Sequence, residues 1–193
     1  MSHYFTDDPA LPDDFRQFPY YYGDIPFTFT SNSGVFSPGH VDPETDLLIK
    51  TLPPLRGSFL DLACGYGPIG IVMAKANRLL VTMSDVSERA LRCARSNCAA
   101  NGVTAEVKAS FCFERIRETF DTIALNPPIH AGKEVTHRMF AEAPAHLNPG
   151  GAFYVVMLEK YGAKSARGCL EAAFGNCEIV YRKKGEYVFC CRK

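Results

Sequence analysis

The sequence predicts an α/β fold: a seven-stranded, mostly parallel sheet with helices on both faces, finished by an antiparallel hairpin at the carboxyl end. Three observations carry this. From Ser58 onward short apolar runs alternate with helix-period segments, the pattern of a parallel sheet covered on both faces. The last two runs, around Ile179 to Tyr181 and Glu186 to Phe189, are joined only by Arg182-Lys-Lys-Gly185, too short for a parallel crossover. Finally, Asp61-Leu-Ala-Cys-Gly-Tyr-Gly67 follows apolar Phe59 and Leu60 and precedes Pro68-Ile-Gly-Ile-Val-Met-Ala-Lys75, a strand turning through glycines into a helix.

Taken in order, the first 34 residues form an aromatic extension. Phe15 to Tyr22 and Phe27 to Thr30 alternate around Gly-Asp-Ile-Pro, which suits a hairpin capping the core formed by residues 35–193. A helix is expected from about Pro43 to Leu52, with Leu47, Leu48 and Leu52 on one face. Strands are expected at Ser58 to Leu62, Leu79 to Ser84, Val103 to Ala109, Thr122 to Asn126, Ala152 to Leu158, Cys177 to Tyr181 and Glu186 to Cys191. Helices lie between them; Ser87 is a good N-cap for the third, and Asn101-Gly102 a good stop.

With 193 residues, 47% of them hydrophobic, the chain can build one sizeable core and is read as a single domain, 1–193. No apolar run approaches the roughly 20 residues of a membrane helix, and Met1-Ser-His-Tyr-Phe-Thr-Asp-Asp8 lacks the pattern of a signal peptide, so a cytoplasmic protein without membrane contact is expected. The eight cysteines include no Cys-x-x-Cys pair and read as small buried hydrophobes in a reducing compartment, with no metal site. Adjacent Cys190 and Cys191 alternate on a strand, one side chain in and one out. The net charge of zero excludes an extended non-specific grip on nucleic acid. Five acids and one base fall in the first 24 residues, which leaves the remainder slightly basic, with local groups at Arg89/Arg92/Arg95, Lys160/Lys164/Arg167 and Arg182-Lys183-Lys184.

In an open parallel sheet, ligands sit beyond the carboxyl ends of the strands. Gly65-Tyr-Gly67-Pro-Ile-Gly70 satisfies the dinucleotide fingerprint, in which a helix N-terminus faces pyrophosphate. Asp61, however, ends its strand where a carboxylate repels phosphate and attracts an ammonium such as that of S-adenosylmethionine. Asp85 ends the second strand, where an acid can take both ribose hydroxyls of an adenosine. Ser110 is the polar side chain available to the adenine. Asn126-Pro-Pro-Ile129 points to transfer onto nitrogen: an Asn oxygen and a carbonyl fixed by prolines can hold an amine or amide nitrogen with its lone pair aimed at a methyl group.

The combination Gly34-Val-Phe-Ser37, Asp61-Leu-Ala-Cys-Gly-Tyr-Gly-Pro-Ile-Gly70, Asp85 and Asn126-Pro-Pro-Ile-His-Ala-Gly-Lys133 resembles the Rossmann-like class I S-adenosylmethionine-dependent methyltransferases of the RsmC type, from about Ile25 to the end. The resemblance implies methylation of the N2 of a guanine in small-subunit ribosomal RNA. It implies that Phe36 and Ser37 close over the methionine end of the cofactor, and that Asp61, Ala63, Cys64, Gly65 and Gly67 cradle it. Asp85 and Val86 would bind around the ribose and Ser110 near the adenine. Asn126 and Pro127 would serve catalysis, with Pro128, Ile129, His130 and Lys133 at the target base. Three departures stand out: Ala63 replaces a glycine, tolerable where the backbone is extended; no Asp follows the third strand; and Ile129 replaces an aromatic. Full-length bacterial members carry an extra N-terminal domain absent from this sequence. RNA selection is therefore expected from the hairpin, a dimer partner or the small ribosomal subunit itself. The rival readings are a protein glutamine N5-methyltransferase, a non-catalytic binding domain that keeps the fold, and a nicotinamide-dependent oxidoreductase.

Overall fold

A computed structural model describes residues 11–193; the expectations placed on residues 1–10 lie outside them. A two-stranded hairpin, β1 (Arg16–Tyr22) and β2 (Ile25–Ser31), precedes α1 (Pro43–Thr51). Strand and helix then alternate: β3 (Ser58–Leu62), α2 (Pro68–Asn77), β4 (Leu80–Asp85), α3 (Glu88–Ala100), β5 (Glu106–Ala109), β6 (Phe120–Leu125), α4 (Lys133–Glu142), β7 (Leu147–Leu158), α5 (Ala163–Phe174), β8 (Glu178–Lys183) and β9 (Glu186–Arg192). The sheet runs β5-β4-β3-β6-β7-β9-β8, parallel from β5 to β7 and antiparallel at β7/β9 and β9/β8. No helix among the described residues is long and apolar enough to cross a membrane.

Alternate side chains of the central strands enter two separate cores. Phe59, Ala124, Tyr154 and Val156 pack beneath α1, α2 and α3, while Leu60, Leu62, Ile123, Leu125, Phe153 and Val155 pack beneath α4 and α5. This corrects the expectation for the terminal cysteines. Cys190 and Cys191 do point in opposite directions, but each direction is interior, so both are buried.

Element ends follow local chemistry. Asp42 caps α1, its carboxylate accepting from Thr45 N at 3.0 Å, with Pro43 in the first helical position. Leu52, which precedes Pro53, is pushed to ψ 132° and stops the helix. Ser87 caps α3 through Ala90 N. Strand β5 begins three residues later than expected because Val103 N is spent on Cys98 O at the end of α3. Two connections are tighter than the sequence suggested. The first hairpin turns on Gly23-Asp24 alone, with Ile25 and Pro26 already in β2. The last turns on Lys184 and Gly185 at φ 51° and 80°, the left-handed pair of a two-residue hairpin.

The hairpin docks on α3 through two asparagines one turn apart. Asn101 accepts from Thr28 N at 2.9 Å and donates to Thr28 O at 2.8 Å; Asn97 does the same at Thr30 with 2.7 and 2.9 Å. Asn97 Nδ2 also donates to Tyr66 O at 2.9 Å, and Phe29 meets the Tyr66 ring edge-on at 5.9 Å, so the hairpin abuts the glycine turn after β3. Arg89, one of the basic residues considered as a surface group, is instead buried and ion-paired with Asp13 at 2.7 Å.

Candidate active site

Strand order reverses at β3, with β4 and β5 to one side and β6 and β7 to the other. Beyond the carboxyl ends of β3, β4 and β6 lies a cavity of about 330 Å³. Phe36, Val86 and Phe111, three large apolar side chains that are 37%, 44% and 38% exposed, all line it. Apolar surface left in water around a concavity marks a place for a ligand with flat apolar parts.

The turn after β3 is built from left-handed residues: Ala63 at φ 56°, Gly65 at 57° and Gly67 at 88°. Ala63 is therefore not extended, the condition under which a replaced glycine would be harmless, and it sits in backbone that disfavours any Cβ. Gly65 lines the cavity, and a Cβ there would meet nothing within 4 Å. Gly67 faces inward instead: its Cβ would come within 3.0 Å of Met83 Sδ and 3.1 Å of Ile71 Cδ1. It permits close packing of α2 on β4 and does not touch the cavity.

Two backbone positions at the start of α2 are withdrawn from phosphate. Pro68 at the first position has no N–H, and Gly70 N donates at 2.7 Å to Asp61 Oδ2. Asp61 was expected to face the cofactor; it is instead wholly buried and does not line the cavity. Burial pushes its carboxyl up to about 7, against the lowering effect of the Gly70 N–H and with a smaller upward push from Asp85. Its Oδ1 has no partner among the described residues.

Asp85 does line the cavity. Its Oδ2 accepts from Gly65 N at 2.8 Å and its Oδ1 from Ser87 N at 3.0 Å, which clamps the carboxylate between the glycine turn and the start of α3. Ser110 lines the cavity too, but its hydroxyl hydrogen is spent on Cys112 O at 3.0 Å and it accepts from Arg115 N at 3.1 Å. It can offer an adenine only a further acceptor, and Phe111 supplies the apolar wall beside it. The Cys64 thiol is pushed well up by burial, then by Asp61 and Asp85, so it stays protonated.

At the end of β6, Asn126, Pro127 and Pro128 line the opposite wall. Asn126 Nδ2 donates to Asp42 Oδ2 at 3.0 Å and to Thr45 Oγ1 at 2.9 Å. A carboxylate accepts only, so the amide nitrogen must face Asp42 and the oxygen must face away. Thr45 closes the triangle, its hydroxyl lying 3.3 Å from Asp42 Oδ2. Burial and then the adjacent Asp42 carboxylate push Glu44 up to about 7. The sequence marked Pro43 as the approximate start of a helix but carried no sign that the residue before it caps the helix and reaches Asn126, 84 residues along the chain.

Other expected site residues lie elsewhere. Ser37, at φ 52°, donates to His40 O at 2.9 Å and leaves only Phe36 on the cavity. His130 is exposed, and Ile129 and Lys133 line a separate recess of about 170 Å³ with Thr136, His137 and Tyr161. Tyr66, Val135 and Met139 line the main cavity without having been singled out. Tyr66 sits inside the glycine turn, whereas Val135 and Met139 arrive from α4, which no local motif ties to the rim.

Among the described lining residues Asp85 is the only charged one; no Lys, Arg or His is present. With Pro68 and Gly70 N withdrawn as well, the cavity suits a nucleoside carrying positive charge better than a pyrophosphate. Comparisons agree with that chemistry. The family model described as methyltransferase small domain matches residues 26–190. The uncharacterized protein YbxB of Bacillus subtilis is 37% identical over 100% of this chain and 98% of its own length. Ribosomal RNA small subunit methyltransferase C of Vibrio cholerae is 34% identical over 93% of this chain and 53% of its own, so the chain spans about half of that relative. Among solved structures, the T. thermophilus 16S rRNA N2 G1207 methyltransferase RsmC, in complex with AdoMet and guanosine, superposes with a TM-score of 0.85 at 28% identity, covering 97% of this chain and 53% of that one.

Proposed function

We propose, from the premise that this chain belongs to the methyltransferase small-domain family and is an S-adenosylmethionine-dependent methyltransferase, that its acceptor is the exocyclic N2 of a guanine in small-subunit ribosomal RNA. The observation that carries the nitrogen acceptor is the Asn126 amide, whose two hydrogens are taken by Asp42 and Thr45. Its oxygen remains as an acceptor for an incoming N–H. The likeness to proteins named for methylation of 16S ribosomal RNA supports the choice of guanine.

The cofactor supplies an electrophilic methyl group on a sulfonium. Asp85, held by two backbone N–H groups, would accept from the ribose hydroxyls, and Val86 and Phe111 would flank the adenine. Phe36 and Tyr66 would shield the reacting end from water. Asn126 Oδ1 and the Pro127 carbonyl would accept the two amine hydrogens and turn the nitrogen lone pair toward the methyl carbon. Methyl transfer held in this way would leave the cofactor as a neutral thioether, and the methylated nitrogen would lose one proton, passed to water once the product leaves the site. Positioning by fixed dipoles would carry the reaction, since among the described lining residues there is no Lys or His to act as a base. The target base must be single-stranded or flipped, because a paired guanine buries this amine.

The test is transfer of radiolabelled methyl groups from S-adenosylmethionine to small ribosomal subunits, to their naked RNA and to a glutamine peptide, followed by identification of the methylated atom. Label is expected on guanine N2, with Asn126→Ala about a hundredfold slower and cofactor affinity nearly retained. Label on glutamine would overturn the RNA assignment. Wild-type turnover by Asn126→Ala would reduce Asn126 to a turn residue.

A further inference from the structure

Asp42 and Thr45 lie 84 and 81 residues before Asn126 and come from the cap and first turn of α1, an element outside the strand-end rim. Both are buried, at 9% and 4% exposure. Asp42 Oδ2 gathers Thr45 N, the Thr45 hydroxyl and Asn126 Nδ2, while the Thr45 hydroxyl accepts from Asn126 and donates to Asp42. Both hydrogens of the Asn126 amide are thereby used, and no described residue donates to its oxygen. An unsupported Asn at a cavity wall could turn over and present its NH2 group, which would repel an acceptor's N–H. The carboxylate and hydroxyl remove that choice.

We propose that Asp42 and Thr45 are positioning residues that lock the Asn126 side chain with its oxygen toward the cavity, so that the site admits groups that present N–H and disfavours those that present a carbonyl edge. The inference rests on the reading that Asn126 meets the acceptor nitrogen. Thr45 also lines the cavity, so the first turn of α1 both borders the site and fixes the Asn126 amide.

Two variants of Thr45 test this. Thr45→Val keeps the shape and removes both hydrogen bonds of the hydroxyl; Thr45→Ser keeps the hydroxyl. The Asn126 side-chain amide signal, assigned by its loss in Asn126→Asp, is followed by proton–nitrogen NMR alongside kcat, acceptor KM and cofactor Kd. In the wild type the two amide protons should be separate and protected from solvent exchange. Thr45→Val should lose that protection and about tenfold or more in kcat, with cofactor Kd changed less than about threefold, and Thr45→Ser should recover most of both. Unchanged protection in Thr45→Val would overturn the lock itself. Lost protection with wild-type kcat would overturn its positioning role. Methylation by the wild type of an oxygen or carbon atom would sink the nitrogen-acceptor reading and this inference together, and is told apart by the identity of the methylated atom.

Discussion

Asp61→Asn should produce stability curves that cross as pH changes. In the folded chain the Asp61 carboxyl is pushed from its ordinary 3.8 to about 7, chiefly by burial. In the unfolded chain it ionises near the ordinary value. Between about pH 4 and pH 7 the folded state therefore holds a proton that the unfolded state has released, and stability falls as pH rises, with the loss complete above the folded value. Three pH units correspond to roughly 4 kcal/mol, an order-of-magnitude figure. Asparagine can still accept from Gly70 N, but its NH2 lands where Oδ1 has no partner, at a pH-independent cost of about 1 to 3 kcal/mol. The variant should thus be less stable than the wild type near pH 4 and equal or more stable near pH 8. The chain has no tryptophan, so urea unfolding followed by far-ultraviolet circular dichroism is the assay. Parallel curves for the two proteins from pH 4 to 8 would refute the buried, proton-holding Asp61.

Two further outcomes are expected. Asp85→Ala removes a carboxylate clamped by Gly65 N and Ser87 N, and should weaken S-adenosylmethionine binding by about 2 kcal/mol or more in calorimetry; unchanged affinity would remove Asp85 from the cofactor site. Ala63→Val places a β-branched side chain at φ 56° and should destabilise the fold by about 2 kcal/mol in urea titration, whereas Ala63→Gly should stay within about 1 kcal/mol of wild type; a valine variant as stable as the wild type would contradict the left-handed backbone.

What the sequence disclosed was the part of the molecule encoded locally. Strand and helix periodicity, the short connection within Arg182 to Gly185 and the Ser87 cap lie within a few residues of the features they determine, and the order of elements follows from them. The cavity likewise collects Phe36, Ala63, Cys64, Gly65, Asp85, Val86, Ser110, Asn126, Pro127 and Pro128, because strand ends on one rim can be recognised one at a time. What escaped depends on side-chain direction or on distant partners. Asp61 looks like a rim carboxylate until α2 folds back and gives it Gly70 N; Ser110 looks available until Cys112 and Arg115 engage its hydroxyl. One of Cys190 and Cys191 reads as outward until helices cover both faces of the sheet. Asp42 and Thr45 were hidden by their distance in sequence from Asn126.

The paired asparagines of α3 bear on how this molecule meets others of its kind. A two-stranded hairpin at a protein surface normally leaves each strand with a row of unused N–H and C=O groups along its outer edge, the template on which chains zip together into larger sheets. Here Asn97 and Asn101 imitate the missing neighbour, meeting the outward N–H and C=O of Thr30 and Thr28 with four hydrogen bonds. A second chain seeking that edge would have to displace side chains already paired and buried against the helix. The β2 edge of the aromatic hairpin is therefore closed to strand addition, and any pairing with another chain is directed to the outer edge of β1.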